Sequence, residues 1–243
     1  MKIYLLSFII PAMLLLSACT VTAPFVNLVV GSGRPVTRTF NLSDFTSVSL
    51  ANSFQGDITR GDSFGVEITA DDNLFDYLRV TKTGSTLKVE LDPLHHYSLR
   101  PNALQAKVTL PTLTGLTVSG ASHATLSGFK SAQDLDLNVS GASGVSGNIE
   151  SGMVRINASG SSQVRLEGTG QQGSLEASGA SQLFLNSFGL NSAGVNLSGA
   201  SSAEVNVQSK LDYDLSGASH LTYQGAPAIG SSQTSGASSA YRQ

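Results

Sequence analysis

The sequence predicts an all-β fold, a β-solenoid in which coils of about 19 residues stack on one another. Three observations predict it: a short motif recurs seven times, alternating apolar and polar residues flank each copy, and small residues dominate the composition. Of the 243 residues, 25 are Gly, 13% are charged and none is Trp. Gly, Ser and Thr disfavour helix interiors and fit tight corners between strands. The length suits one elongated domain or two small ones.

The repeated motif reads Ser-Gly-Ala-Ser, and one copy reads Ser-Gly-Ser-Ser. Successive copies begin 21, 19, 19, 20, 18 and 19 residues apart. The first two residues of the copies are Ser119 and Gly120, Ser140 and Gly141, Ser159 and Gly160, Ser178 and Gly179, Ser198 and Gly199, Ser216 and Gly217, and Ser235 and Gly236. We interpret each copy as a corner that needs Gly for its backbone angles. Its serines are candidates for hydrogen bonds between coils.

Each corner lies between two short strands with period-two alternation, which indicates half-buried strands. Three residues before each motif lie Leu116, Leu137, Ile156, Leu175, Val195, Tyr213 and Ser232. The second residues after the motifs are Ala124, Val145, Val164, Leu183, Ala203, Leu221 and Ala240. Equivalent positions in stacked coils should form inward ladders, and seven corners would span about 29 Å. The polar strand before the last motif is typical of a capping coil, with a frayed tail as the alternative.

The first residues have the order of a bacterial lipoprotein signal peptide. Lys2 precedes an apolar run, Ile3–Leu16, that is too short for a comfortable transmembrane helix. The run ends in Leu16-Ser17-Ala18-Cys19, which resembles a lipobox, where the cysteine is acylated and becomes the mature N-terminus. We therefore predict a signal peptide over residues 1–18 and lipidation of Cys19. An ordinary signal peptide that ends near a cysteine is the alternative.

The lone cysteine also defines how the mature chain begins. An intramolecular disulfide is excluded, and two or three acyl chains on Cys19 would hold the protein firmly on a membrane. Residues 19–27 are then a lipidated N-terminus with a short tether. Thr20, where an Asp would favour retention in the inner membrane, favours the outer membrane of the cell envelope.

The repeat is weaker before Leu116, so we divide the mature chain into irregular coils over 28–115 and regular coils over 116–243. Apolar alternation predicts short strands in the first part, with turns at Gly56, Gly61 and Gly65. The segment 71–78 is the one candidate for a helical turn, capped by Asp71 or Asp72. Residues 92–102 match no repeat phase and are predicted to bulge out as a loop.

Several segments together resemble a known family. They are Gly31-Ser32-Gly33, Asp71-Asp72-Asn73-Leu74, Val108-Thr109-Leu110-Pro111-Thr112-Leu113, the Ser-Gly-Ala-Ser series and Tyr223-Gln224-Gly225-Ala226-Pro227. The chain is similar over residues 28–243 to the head GIN domain family, whose label is autotransporter adhesin. The resemblance implies a right-handed parallel β-helix and a place in the cell envelope. It implies no reaction.

One pair of carboxylates raises an enzymatic alternative. Asp212 and Asp214 lie two residues apart on one strand face, which separates them by about 6.6 Å. That separation is close to the one that inverting glycosidases use. A carbohydrate-active β-helix enzyme is therefore the rival hypothesis. The columns in the adjacent coils offer no further acid, which favours solvated charges.

Histidines offer no convincing metal site. His123 and His220 both follow a motif, but five coils separate them, about 24 Å. His95 and His96 form the one histidine cluster, whose spacing is unspecific for a metal. Asp136 and Arg155 share an outward phase in adjacent coils and predict a surface ion pair. We predict no metal and no cofactor.

These features favour a non-enzymatic lipoprotein of the cell envelope, whose polar faces serve for adhesion, binding or scaffolding. The expected partners are the membrane, through the anchor, and a glycan or another envelope protein. The net charge of -3 and the lack of a basic run argue against nucleic acid. Exposed end strands make a homo-oligomer an alternative. A purely structural role in the envelope also stays open.

Overall fold

The computed structural model describes residues 27–101 and 103–243. The signal peptide and Cys19 lie outside these described residues, so both remain predictions. Within the two ranges the chain forms β-strands and one short 3₁₀ helix, Asp72–Leu74. In this part of the chain, no helix has the length and apolar character needed to cross a bilayer.

Strands occupy most of the described chain. Residues 28–110 form β1 (Leu28–Val30), β2 (Pro35–Thr39), β3 (Ser47–Leu50), β4 (Gln55–Arg60), β5 (Gly65–Asp71), β6 (Leu78–Thr83), β7 (Thr86–Leu91), β8 (His96–Ser98) and β9 (Gln105–Leu110). Residues 115–242 form β10 (Gly115–Val118), β11 (His123–Lys130), β12 (Leu135–Val139), β13 (Gly144–Ala158), β14 (Gln163–Ala177), β15 (Gln182–Leu197), β16 (Ser202–Leu215), β17 (His220–Gln224), β18 (Ala228–Thr234) and β19 (Ser239–Arg242).

The strands from β10 to β19 form the predicted solenoid of stacked parallel coils. The predicted ladders pair in register, as Leu137 with Ile156 before the corners and Val145 with Val164 after them. We call the strands that enter the corners the pre-corner sheet: β10, β12, the C-terminal parts of β13 to β16, and β18. Those that leave them are the post-corner sheet: β11, the N-terminal parts of β13 to β16, β17 and β19. The inward side chains of both sheets form one continuous apolar core.

The N-terminal coils stack in an order that differs from their order in the chain. Strands β3 and β4 pair in parallel with β10 and β11, so residues 47–60 form the coil next to the regular stack. Strands β7 and β9 pair with the other edge of β3 and β4, so the later residues 86–110 form the outermost coil. Strands β5 and β6 then pair antiparallel with β9 and β7, and β2 pairs with β5. Antiparallel strands therefore cover the N-terminal end of the stack.

Three local predictions in the N-terminal part need correction. The helical turn forms, but Asp71 at its start makes no capping hydrogen bond, because its carboxylate is buried against other partners. Gly56 lies inside β4 rather than in a turn, and the Leu50 side chain fills the space beside it. The segment 92–102 contains β8, which pairs in parallel with β1 in a separate two-stranded sheet. We call β1 and β8 together the ribbon.

The C-terminal end is formed by β18 and β19. Every residue of β18 is exposed, and among the described strands it pairs only with β16. The alternative of a frayed tail is therefore wrong, because the last motif forms an ordered polar coil.

Candidate binding groove

The glycine of each corner is required by the stacking of the backbones. Gly179 has a φ of +73°, and an added Cβ would lie 2.6 Å from the carbonyl oxygen of Gly160. That oxygen accepts a 2.7 Å hydrogen bond from the backbone N–H of Ala180. The same backbone bond recurs from Ser161 to Gly141, Ala200 to Gly179, Ala218 to Gly199 and Ala237 to Gly217. The corner glycines therefore form a structural ladder rather than a reactive site.

The two serines of each motif have different surroundings. The last serine is buried in the first six motifs and half-buried in the seventh, and the hydroxyl of Ser181, for example, donates to the carbonyl of Ser178 at 2.9 Å. Ser201 also donates to the carbonyl of Ala177 in the preceding coil, at 3.1 Å, which confirms bonding between coils. Ser143 is the exception, because its buried hydroxyl has no hydrogen-bond partner among the described residues. The first serine lies at the surface.

A groove follows the stack axis where the pre-corner sheet meets the corners, and we call it the axial groove. It encloses about 520 Å³. One wall is the outward column Asn138, Asn157, Glu176, Asn196 and Asp214. The other wall is formed by the first serines of the motifs, Ser140, Ser159, Ser178, Ser198 and Ser216. The floor is formed by Val139, Ala158, Ala177 and Leu197.

The chemistry of the axial groove is repetitive, polar and weakly acidic. Asn157 donates from its side-chain amide to that of Asn138 at 3.1 Å, along the amide column. Glu176 and Asp214 carry the charges, and Asn196 separates them in the register. Two strand steps place these carboxylates about 10 Å apart, too far to share one small ion. Among the described residues that line the groove, none is Lys or Arg.

Two of the sequence segments that carry the family resemblance, Gly31-Ser32-Gly33 and Asp71-Asp72-Asn73-Leu74, meet in space at the N-terminal end. The backbone N–H of Gly33 donates to the buried carboxylate of Asp71 at 3.0 Å, and Arg100 pairs with it at 3.2 Å. The Ser32 hydroxyl donates to Asp72 at 2.5 Å. The Asn73 side chain donates to the carbonyl of β1 at Val30, at 2.8 Å. The two segments therefore attach the ribbon to the solenoid.

A family comparison covers most of the coils. The family described as "Putative auto-transporter adhesin, head GIN domain" matches residues 44–227. The chain belongs to this family. Membership indicates an adhesin-like protein of the cell surface or envelope. None of the curated proteins matches the sequence of this head GIN domain.

Solved structures share the fold. A "putative adhesin" from Bacteroides fragilis has a TM-score of 0.82 and 19% identity, with 88% of this chain and all of that chain covered (100%). A "putative lipid binding protein" from Parabacteroides distasonis has a TM-score of 0.74 and 21% identity, with 89% and 100% covered. A "putative adhesin" from Parabacteroides merdae has a TM-score of 0.68 and 16% identity, with 90% and 100% covered. At sequence identities this low, the similarity shows that the structures share a fold.

The head GIN domain has a second concave region on the same sheet. It encloses about 590 Å³ and shares Asn138 with the axial groove, so the two are continuous along the stack. Asp134 and Asp136 line it, and Arg155 pairs with them at 3.3 and 3.1 Å. The hydrogen bond to Asp136 is the main cause that raises the pKa of Arg155. The predicted surface ion pair is confirmed, and a second carboxylate joins it.

The carboxylates behind the enzymatic alternative have surroundings that oppose acid catalysis. Asp212 pairs with Lys210 at 2.6 Å and accepts a hydrogen bond from the Ser231 backbone at 2.7 Å. The hydrogen bond from Lys210, followed by that from Ser231, lowers the pKa of Asp212. A glycosidase acid needs a raised pKa. Asp214 pairs in register with Asn196 and Gln233, so neither neighbour is an acid, as the sequence predicted.

His123 and His220 lie far apart in the stack, as predicted. Five register steps separate His123 from His220, and the His220 ring bonds to Ser239 at 2.7 Å. The His95 ring packs on Tyr77, with 4.8 Å between the ring centres. Within residues 27–101 and 103–243, no group of three His, Cys, Asp or Glu side chains could hold a metal ion.

Proposed function

We propose that this protein is a non-enzymatic, lipid-anchored protein of the cell envelope that binds an extended ligand along the axial groove. The observation that carries the proposal is the axial groove itself. It presents the same pair of walls, amide or carboxylate on one side and hydroxyl on the other, in five successive coils. A site with one repeated chemistry suits a polymer better than a compact substrate.

The lining narrows the class of polymer. Asn side chains and Ser hydroxyls both donate and accept hydrogen bonds, which matches the hydroxyl groups of a neutral glycan. Glu176 and Asp214 repel an acidic polysaccharide, since no cation in the lining offsets them. A neutral glycan is therefore the proposed ligand. A segment of another envelope protein is the second class to test.

The setting of the protein supports this proposal. The adhesin label of the family and of two similar structures agrees with a binding role at a surface. The lipobox at Cys19 would anchor the chain, and Thr20 favours the outer membrane. The groove would then be held at the envelope, where polysaccharides are abundant.

The test uses soluble protein from Thr20 to Gln243, screened against neutral and acidic polysaccharides and envelope protein fractions. The double variant Asn157→Ala with Asn196→Ala should weaken binding about tenfold, because each lost hydrogen bond contributes about 0.5–1.5 kcal/mol. The matched control is Gln163→Ala with Gln182→Ala, two outward amides beyond the corners that pair with each other at 3.0 Å. Equal losses in both variants, or no saturable binding, would contradict the proposal.

The anchor has its own test. Cys19→Ser should move the protein from the membrane fraction to the soluble fraction, because the acyl chains require the thiol. Thr20→Ser is the control and should leave the protein on membranes. Sedimentation of the Cys19→Ser protein with membranes would contradict the predicted lipidation of Cys19.

A further inference from the structure

Exposed apolar side chains are concentrated at one end of the molecule. Among the described residues, the large exposed apolar side chains are Leu28, Val30, Val36, Leu94, Ile229 and Tyr241. The first four belong to the N-terminal end, and the last two to the terminal coil. Leu94 is 76% exposed, which is the largest value among them. Isolated exposed residues need no explanation, but a group does.

Three of these residues lie in the ribbon or in the turn that leads into it. Leu28 and Val30 alternate with Val29, so both point away from the core on which Val29 packs. Leu28 pairs in register with His96, and Leu94 lies two residues before His96. On this face the exposed side chains of Leu28 and Val30 lie beside His96 and Ser98, and the exposed Leu94 lies in the turn before β8. We define Leu28, Val30 and Leu94 as the apolar patch.

The chain outside the described residues begins beside this patch. Asn27 directly precedes the ribbon, and its carbonyl accepts a hydrogen bond from the backbone of His96 at 3.2 Å. Eight residue steps separate Asn27 from Cys19, so an extended tether reaches at most about 29 Å. A lipid anchor at Cys19 therefore keeps the patch close to the bilayer.

We infer that the apolar patch of the ribbon docks on the membrane surface that holds the lipid anchor. This inference rests on the proposed anchoring at Cys19. Burial of these side chains in the headgroup region adds a second membrane contact to the acyl chains. The solenoid then rests on its capped N-terminal end, and the coil with β18 and β19 points away from the bilayer.

Most of the acids around the patch are paired with arginines. Three acids near the ribbon are each paired with an arginine: Asp71 with Arg100, Asp72 with Arg34, and Asp92 with Arg79. Asp76 is exposed next to Tyr77 and has no ion pair among the described residues. The guanidinium of Arg34 is 77% exposed beside the ribbon, where it can meet lipid phosphates. Most of the negative charge around the patch is therefore neutralised by arginines.

The experiment uses the full lipidated protein in lipid vesicles with one spin label. The acylated Cys19 leaves no free thiol, so Leu94→Cys provides a single labelling site at the patch. Tyr241→Cys, at a residue that is 64% exposed, is the matched control in the terminal coil. Eight strand steps, about 38 Å, separate the two coils along the stack. We measure how strongly two relaxation agents, lipid-soluble oxygen and a water-soluble nickel complex, relax the spin label. A high ratio of oxygen relaxation to nickel relaxation indicates that the label lies in lipid.

The inference predicts a several-fold higher ratio of oxygen to nickel relaxation at Leu94→Cys than at Tyr241→Cys. A vesicle-bound protein with equal, water-like ratios at both positions overturns the docking and leaves the anchor intact. Coupling between Leu94→Cys labels that disappears on dilution with unlabelled protein also overturns it, because a second copy then covers the patch. Failure of the protein to float with vesicles overturns the anchor, and the docking with it.

Discussion

The two ends of this solenoid are built on different principles. In the regular coils, backbone bonds between successive corners repeat, and the same column positions recur from coil to coil. At the N-terminal end the coils are stacked out of chain order, antiparallel strands cover the edge, and a buried carboxylate holds the ribbon. The regular coils repeat the same set of contacts, whereas the N-terminal end depends on contacts that each occur once.

This difference indicates which substitutions should destabilise each part. A coil of the regular stack fails when its corner cannot approach the next, so glycine is the sensitive residue there. The N-terminal end fails when a specific polar contact is lost, so Asp71 is the sensitive residue there. Four predictions follow from this contrast, in decreasing order of effect.

The largest effect is expected at a corner glycine. Gly179→Ala combines a positive φ with a clash against the Gly160 carbonyl, and should lower the free energy of unfolding by about 3 kcal/mol. Gly194→Ala is the control, because nothing lies within 4 Å of an added Cβ and no positive φ occurs there. Denaturant unfolding compares the two. Similar stability of both variants would show that the corners do not govern stacking.

The second effect belongs to the N-terminal end. Asp71→Ala removes a buried carboxylate that accepts from Gly33 and pairs with Arg100, and should cost about 2 kcal/mol. Hydrogen exchange should accelerate first in the ribbon. Asp136→Ala is the control, because its pair with Arg155 is exposed and contributes at most about 1 kcal/mol. Uniform acceleration over the regular coils would contradict a local role for Asp71.

A smaller effect compares two buried serines of the corners. Ser181→Ala loses the hydrogen bond to the Ser178 carbonyl and should cost about 1 kcal/mol. Ser143→Ala removes a buried hydroxyl that lacks a partner in the described structure, and should be neutral or stabilising. Thermal unfolding of the two proteins measures the difference. An equal loss in both would mean that packing, and not hydrogen bonding, fixes these serines.

The smallest effect is a response to acid. The hydrogen bond from Ser32, followed by the nearby charge of Arg34, lowers the pKa of Asp72. The backbone hydrogen bond from Leu94, followed by the side-chain hydrogen bond from Arg79, lowers the pKa of Asp92. Carboxylates with lowered folded pKa values stabilise the fold above their ordinary pKa of 3.8, and this stabilisation disappears as the pH falls through the folded values.

The N-terminal end should therefore loosen below pH 3.8, before the central coils do. Amide protection factors, measured by NMR between pH 5 and pH 2 at Val30 and at Val164, test this order. Ser32→Ala should make the N-terminal end less sensitive to acid, because it removes the main cause of the lowered pKa of Asp72. Loss of amide protection at the same pH in the N-terminal end and in the central coils would contradict this prediction.

The regular coils could be predicted from the sequence because their information is local and repeated. The Ser-Gly-Ala-Ser corners and the apolar columns define the register of the pairs, as Leu137 with Ile156. The axial groove was not predicted as a concave site, although its polar column was visible in the sequence. Concavity depends on how the backbone bends into the corner, which a residue pattern does not report.

The N-terminal end could not be predicted because its contacts join distant segments. Residues 47–60 lack the motif, yet Asn52 and Ser53 take positive φ values and form the corner that stacks on Gly120. The exchange of coil order between residues 47–60 and 86–110 leaves no periodic signal. The contact of Gly33 with Asp71 crosses 38 residues. The quoted family segments marked these places, but their physical role required the structure.

The most direct test of the central claim is to block the axial groove with a bulky thiol reagent. The soluble chain from Thr20 has no cysteine, so Asn157→Cys inside the groove and Gln163→Cys beyond the corner each provide one site. Ligand binding is measured before and after modification of each protein. Loss of binding on modification at position 157 alone is the predicted result. Equal binding after both modifications would show that the groove is not the binding surface.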